Sequence, residues 1–213
     1  MIKGDYIWVS GIIVAVVLIA SPLTNPIFIS TTANHPYIMA FFKFMILASM
    51  GELLAIRIKV GKWNKPIGMM YKALVWGLFG IIITLAFQLF SAGVTACQAN
   101  GYLPGNGSNI SFAFLTALLM NVFFAPIFMA THKCTDSYIN LRVGKIINKP
   151  SLNDVLTNAD WNSYVSFILL KTIPFFWIPA HTITFLLPGE YRIVVAAFLS
   201  VALGAFLALS KKK

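Results

Sequence analysis

The sequence predicts an all-α integral membrane bundle of about six transmembrane helices, with one amphipathic helix lying at the membrane interface. Three observations predict it: a composition too apolar for a soluble surface, six apolar stretches of span length, and basic residues confined to alternate connections. Of the 213 residues 59% are hydrophobic and only 10% charged, against roughly 45–50% and ~25% in soluble domains. So few charges cannot cover a soluble fold, and the composition excludes a disordered chain and a basic nucleic-acid module as well. The net charge of +10, from 16 Lys and Arg against 6 acidic groups, therefore signals topology rather than a nucleic-acid partner. Cys97 and Cys134 stand too far apart for a metal motif or a disulfide framework.

A helix needs about 20 mostly apolar residues to cross ~30 Å of hydrocarbon. The stretches that qualify are Tyr6–Pro22, Tyr37–Ile58, Ala73–Cys97, Phe112–Ala130, Tyr164–Leu187 and Tyr191–Ser210. The first is short and follows Lys3. An uncleaved anchor is expected, because no small-x-small cleavage site follows it; a cleaved signal peptide is the alternative. The connection between the second and third spans carries Arg57, Lys59, Lys62, Lys65 and Lys72. The one after the fourth carries Lys133, Arg142, Lys145 and Lys149, and the chain ends Lys211, Lys212, Lys213. Leu23–Pro36 and Gln98–Ser111 hold no Lys or Arg, and the last connection holds only Arg192. Both termini are therefore expected on the basic, inner side, with anionic lipids as partners of the inner loops. Within the long inner loop, Ile139, Val143, Ile146 and Ile147 share one helical face and Arg142, Lys145, Asn148 and Lys149 the other, which predicts the interfacial helix. A solvated basic loop is the alternative. Pro150 would stop that helix, and Ser151 with Asp154 forms a capping box for a short next turn.

Polar residues inside the spans are the candidate functional groups. Ala73, Gly77, Gly80, Thr84, Gln88, Ser91 and Thr95 recur at spacings of three and four and predict one small, polar face along the third span. Asn121 lies near the middle of the fourth span, at the expected depth of Gln88. Either the faces pack helices closely, or they wall a hydrated pathway. Glu52 and Lys171 fall at similar depth in the second and fifth spans, and an intramembrane pair between them is geometrically allowed. Lys43, close to the outer surface, is expected to snorkel. Pro174 and Pro179 interrupt the fifth span, as in helices that line transporter sites, and His181, Thr182 and Phe185 follow the break. Arg192 at the outer turn has three candidate roles: pairing with Glu190, capping carbonyls, or drawing anions to a pathway mouth.

No HExxH, GxSxG, CxxC or phosphate-binding glycine loop occurs, and His35, His132 and His181 are spread over three depths. No enzyme, metal or cofactor is expected. The leading expectation is a channel or carrier for small polar solutes along the pathway Thr84, Gln88, Ser91, Asn121, His181, Thr182 and Arg192. A non-conducting scaffold or assembly factor is the alternative, and a homo-oligomer is compatible with either.

The ordered set Asp160-Trp161, Trp177-Ile-Pro179, His181-Thr-Ile-Thr184-Phe185 and Pro188-Gly-Glu-Tyr191-Arg192 resembles the C-terminal signature of the Mpv-seventeen/peroxisomal-membrane-protein-twenty-two family. His181 and Thr184 stand where that family has Gln and Asn. Upstream, His35-Pro36 before a helix that ends in Gly51-Glu52, and Asn121 followed by Ala125-Pro126, are similar to its opening and middle. The resemblance runs from His35 to Ser210, leaving 1–34 as an N-terminal anchor and outer-loop extension of a family-like bundle, 35–213. It implies membrane channel activity or a maintenance role, in a mitochondrial inner or peroxisomal membrane. The residues by themselves fit a bacterial inner membrane equally.

Overall fold

The computed structural model describes residues 2–210, the side chains of 206–210 excepted, and is helical with no strand among the described residues. Lys211, Lys212 and Lys213, whose charge entered the topology argument, lie outside the described residues.

The first expected span is helix α1 (Lys3–Ala20). The neutral loop expected after it is instead a second helix, α2 (Asn25–Asn34), with Pro26 in its first turn, where a missing N–H costs nothing. Pro36 likewise opens α3 (Pro36–Val60), and Gly61 ends it in a left-handed cap at φ 78°. Helix α4 (Met69–Ala99) has 31 residues. At 1.5 Å each it is about 46 Å long, so it must extend beyond ~30 Å of hydrocarbon.

The fourth expected span breaks in two. Ser108 caps α5 (Asn109–Phe123) by accepting from the Ser111 amide. After Phe124 the chain continues as α6 (Ala125–Val143), bent by 46°. Pro126 accounts for the bend: it has no N–H to give, and its ring crowds the carbonyl one turn back. The expected interfacial helix over Ile139–Lys149 does not form. Residues up to Val143 prolong α6, with Ile139 and Leu141 buried, and the helix ends where Lys145 takes φ 56°. Ile139 is held by packing on Gly68 in the α3–α4 connection, which pulls this segment into the bundle instead of leaving it at an interface.

The capping box does form. The Ser151 amide donates to Asp154 Oδ2 at 2.8 Å and the Asp154 amide to Ser151 Oγ at 3.2 Å, starting α7 (Leu152–Asn158). Those bonds hold the Asp154 carboxyl below its usual 3.8. Helix α8 (Trp161–Leu186) is continuous through both prolines because Tyr164–Trp177 is wound as a π-helix. The Ile178 amide reaches Ile173 O, and Thr172 Oγ1 reaches Phe167 O, each five residues back. The wider turn relieves the clash that Pro174 would make in an α-helix. Helix α9 (Gly189–Ser210) closes the described chain.

Helices α1, α3, α4 and α8 are each long and apolar enough to cross a membrane, and the bent α5–α6 pair qualifies as one broken span. The protein therefore fits an integral membrane protein. Helix α3 is central, packed on α4 and α9, while α5 packs on the last turns of α8. The core they share includes Phe44, Leu47, Phe87, Met120, Phe185 and Ala197. Helices α3 and α9 cross at Gly51 and Gly204: a Cβ on Gly204 would sit 2.6 Å from Gly51 O, and one on Gly51 2.9 Å from Ser200 O. Only glycine allows that approach. Helix α1 has no buried residue. Trp8 Nε1 donates to Met50 O at 3.0 Å, and Asp5 receives Arg57 Nε and Trp63 Nε1, both at 2.8 Å.

Candidate functional site

Where the bend between α5 and α6 faces the π-helical segment, α3 and α9 leave a cavity of about 290 Å³. Its walls are mostly apolar and rich in rings, with Phe44, Trp76, Phe87, Phe124, Phe128 and Trp177 among them. Polar groups collect at two places, and the exposures differ between them.

One is the neutral pair Asn121–His181. Asn121 is fully buried and His181 9% exposed. Asn121 Nδ2 lies 2.8 Å from Ala117 O and 2.9 Å from His181 Nδ1. A carbonyl only accepts, so the Asn121 atom facing Ala117 O must be the NH₂ group, which settles the amide orientation. The same NH₂ then donates to Nδ1, which is thereby an acceptor, and a neutral imidazole carries its proton on Nε2. Asn121 Oδ1 is left buried without a hydrogen-bond partner among the described residues. An unpaired buried acceptor is costly and calls for an explanation.

The other place is charged. Lys72 Nζ donates to Glu52 Oε1 at 3.2 Å and lies 3.9 Å from Asp136 Oδ2. Glu52 and Asp136 are 26% and 32% exposed against 8% for Lys72. His132 stands beside them, its ring 4.4 Å from that of Trp76. Glu52, Asp136, His132, Asn121 and His181 all line the same cavity. We call the charged place, with its partly exposed carboxylates, the mouth, and the buried pair the floor.

The structure brings together some of the expected residues and separates others. Asn121 and His181 meet directly. The expected Glu52–Lys171 pair does not form: Lys171 is exposed on α8, while Lys72 reaches Glu52 from α4. The polar face of α4 is not covered along its whole length. Gly77 and Gly80 seat the rings of Phe41 and Phe44, and Thr84 is buried with its hydroxyl on Gly80 O. Gln88 and Thr95 are exposed and Ser91 half-buried, whereas Phe87, Val94 and Gln98 face inward. At 100° per residue the stripe keeps to one arc of about 80°, with Gln88 at its edge, and it is buried only as far as Thr84. Thr182 spends its hydroxyl on Ile178 O. Arg192 Nε caps Leu187 O at 2.9 Å, the second of its three candidate roles, and the guanidinium lies over Phe185. Lys43 does not snorkel: it is buried, donates to Thr32 Oγ1 at 2.9 Å and sits over the Phe28 ring.

Sequence reasoning did not single out Lys72 and Asp136 as site residues. A helical spacing of four carried the signal in both cases, Lys72 to Trp76 on α4 and Phe128 to His132 to Asp136 on α6. Among the described residues no cluster of His, Cys, Asp and Glu could hold a metal ion. Comparison with family models, with curated proteins and with solved structures yields no match.

Proposed function

We propose that the protein is a multi-pass membrane carrier or channel that takes a small solute into the cavity between Glu52 and Asn121, with six spans and both termini on the basic side. The observation that carries this reading is a mostly apolar, ring-rich cavity lined in part by Asn121, a buried residue whose Oδ1 has no partner among the described residues. Ligand sites in membrane bundles are typically apolar pockets with a few convergent polar groups. The cavity lies at the lower end of the roughly 300–1,000 Å³ of drug-sized sites, which points to a small solute. The floor also rests on the element best suited to move. Trp177 ends the π-helical segment and His181 follows Pro179, and interrupted helices of this kind hold solute sites in secondary transporters. The family resemblance supports the same reading, since Glu52, Asn121, Ala125, Trp177 and His181, which help carry it, all line the cavity.

A pathway along α4 is not part of the proposal beyond Thr84, because Gln88 faces outward. The packing of Gly51, Gly77, Gly80 and Gly204 favours a second reading, a scaffold in which small residues serve contact alone. Solute flux into liposomes separates the two. Protein-dependent flux that is lost in Ala48→Phe, which fills the cavity, and in Asn121→Leu supports the carrier. Folded protein without flux leaves the scaffold.

A further inference from the structure

The mouth, walls and floor of the cavity differ in chemistry, and together they specify an occupant. At the mouth Glu52 and Asp136 share the single ammonium of Lys72. With both carboxylates ionised these three charges sum to −1. An uncompensated carboxylate at the edge of a low-dielectric cavity is costly and favours a monovalent cation beside it. The walls next to it are ring faces, Trp76 and Phe128 among them, which attract organic cations and pack apolar bodies. A bare metal ion is a poor fit: hard cations want about six oxygen ligands, and Lys72 already occupies the space between the carboxylates. At the floor the independent observation is Asn121, a fully buried residue of the cavity lining whose Oδ1 has no partner among the described residues. It lacks a donor.

We propose that the cavity binds a small amphipathic organic cation. Its ammonium head lies toward Glu52 and Asp136, its aromatic or aliphatic body runs along the rings, and a hydroxyl or amide N–H at its far end donates to Asn121 Oδ1. The proposal rests on the reading of the cavity as a solute site and names the solute class.

The test uses the full chain in nanodiscs of zwitterionic phosphatidylcholine, so that lipid charge does not gather cations. Three probes are titrated calorimetrically: tyramine, which has cation, ring and hydroxyl; phenethylammonium, which lacks the hydroxyl; and 3-phenylpropionate, an anion of similar size. Tyramine should bind saturably, and the anion about tenfold weaker or less. Glu52→Gln and Asp136→Asn should each weaken tyramine by about tenfold. Lys72→Gln should tighten it, an outcome that mere loss of packing cannot produce. Asn121→Leu should erase the advantage of tyramine over phenethylammonium, and Gln88→Leu, outside the cavity, should change nothing. Equal binding of cation and anion, abolished by Ala48→Phe, would overturn the cation assignment and leave the solute site standing. Weaker tyramine binding in folded Lys72→Gln would also overturn it. No binding of any probe would sink the cation proposal, and if flux is absent as well, the solute site falls with it.

Discussion

Lys72 stands four residues before Trp76 on α4, and that spacing carries its ammonium to Glu52 and Asp136 instead of into the basic connection. By sequence it belongs to the run Arg57, Lys59, Lys62, Lys65, Lys72, and reading that run as topology signal hides its role. Helix α4 begins at Met69, a turn earlier than its apolar stretch, so Lys72 falls in the first turn and is buried. The consequence is a coupling pattern. Breaking the Glu52–Lys72 pair from one side should cost more than the ~1 kcal/mol of an exposed pair. It should cost less than the ~3–5 kcal/mol of a fully buried one, because Glu52 is 26% exposed. In thermal unfolding of detergent-solubilised protein, Glu52→Gln and Lys72→Gln together should lose less than the sum of the single variants. Glu52→Gln with Lys171→Met should be additive within about 0.5 kcal/mol. Coupling to Lys171 instead would place the helices differently.

At the scale of elements, what was legible follows hydrophobic length, and what was not follows rotation and bending. The apolar stretches from Tyr6, Tyr37, Ala73, Phe112, Tyr164 and Tyr191 are all helical, and the Ser151–Asp154 box starts its helix as expected. Helix α2 was invisible because Asn25–Asn34 is polar and short, and α6 was cut short because the basic face of Arg142 and Lys145 suggested an interface. The exposure of Gln88 depends on how far along α4 the neighbouring helices reach, which spacing alone does not resolve. Two predictions belong here. Gly204→Ala and Gly51→Ala should each destabilise the bundle by about 1–3 kcal/mol through overpacking at the α3–α9 crossing. Gly93→Ala, where an added Cβ meets nothing within 4 Å, should be neutral or stabilising by up to about 1 kcal/mol. The second concerns α7. The Asp154 carboxyl is depressed in the fold, so its contribution is fully present above the usual carboxylate range and is lost as the pH falls through its lowered value. Amide exchange at the start of α7 should accelerate only in that acid window. Ser151→Ala, which removes the hydroxyl bonded to Asp154, should move the window upward, and an unchanged profile would show that the box does not hold the helix.

For the whole molecule the question is which way the cavity opens. Its mouth lies at the end of the bundle where Glu52 is followed along α3 by Arg57 and Lys59, and where α6 runs on to Arg142. The opposite end carries Asn106, in a connection without Lys or Arg, and Asn109 at the start of α5. Basic residues stay on the inner side of a membrane, so the charged mouth and the basic connections should face one compartment and the Asn106 connection the other. This arrangement predicts the outcome of labelling. Both native cysteines, Cys97 and Cys134, are half-buried and are first replaced by Ala. Single cysteines at Asn106 and Asn148, both exposed, should then react with a membrane-impermeant maleimide from opposite sides of sealed, oriented vesicles. A cysteine at Asp136 should share the sidedness of Asn148. Labelling of Asn106 and Asn148 from the same side would reject the alternation of spans. Labelling of Asp136 from the Asn106 side would keep the alternation but turn the pocket over, so that the basic loops would no longer surround its mouth.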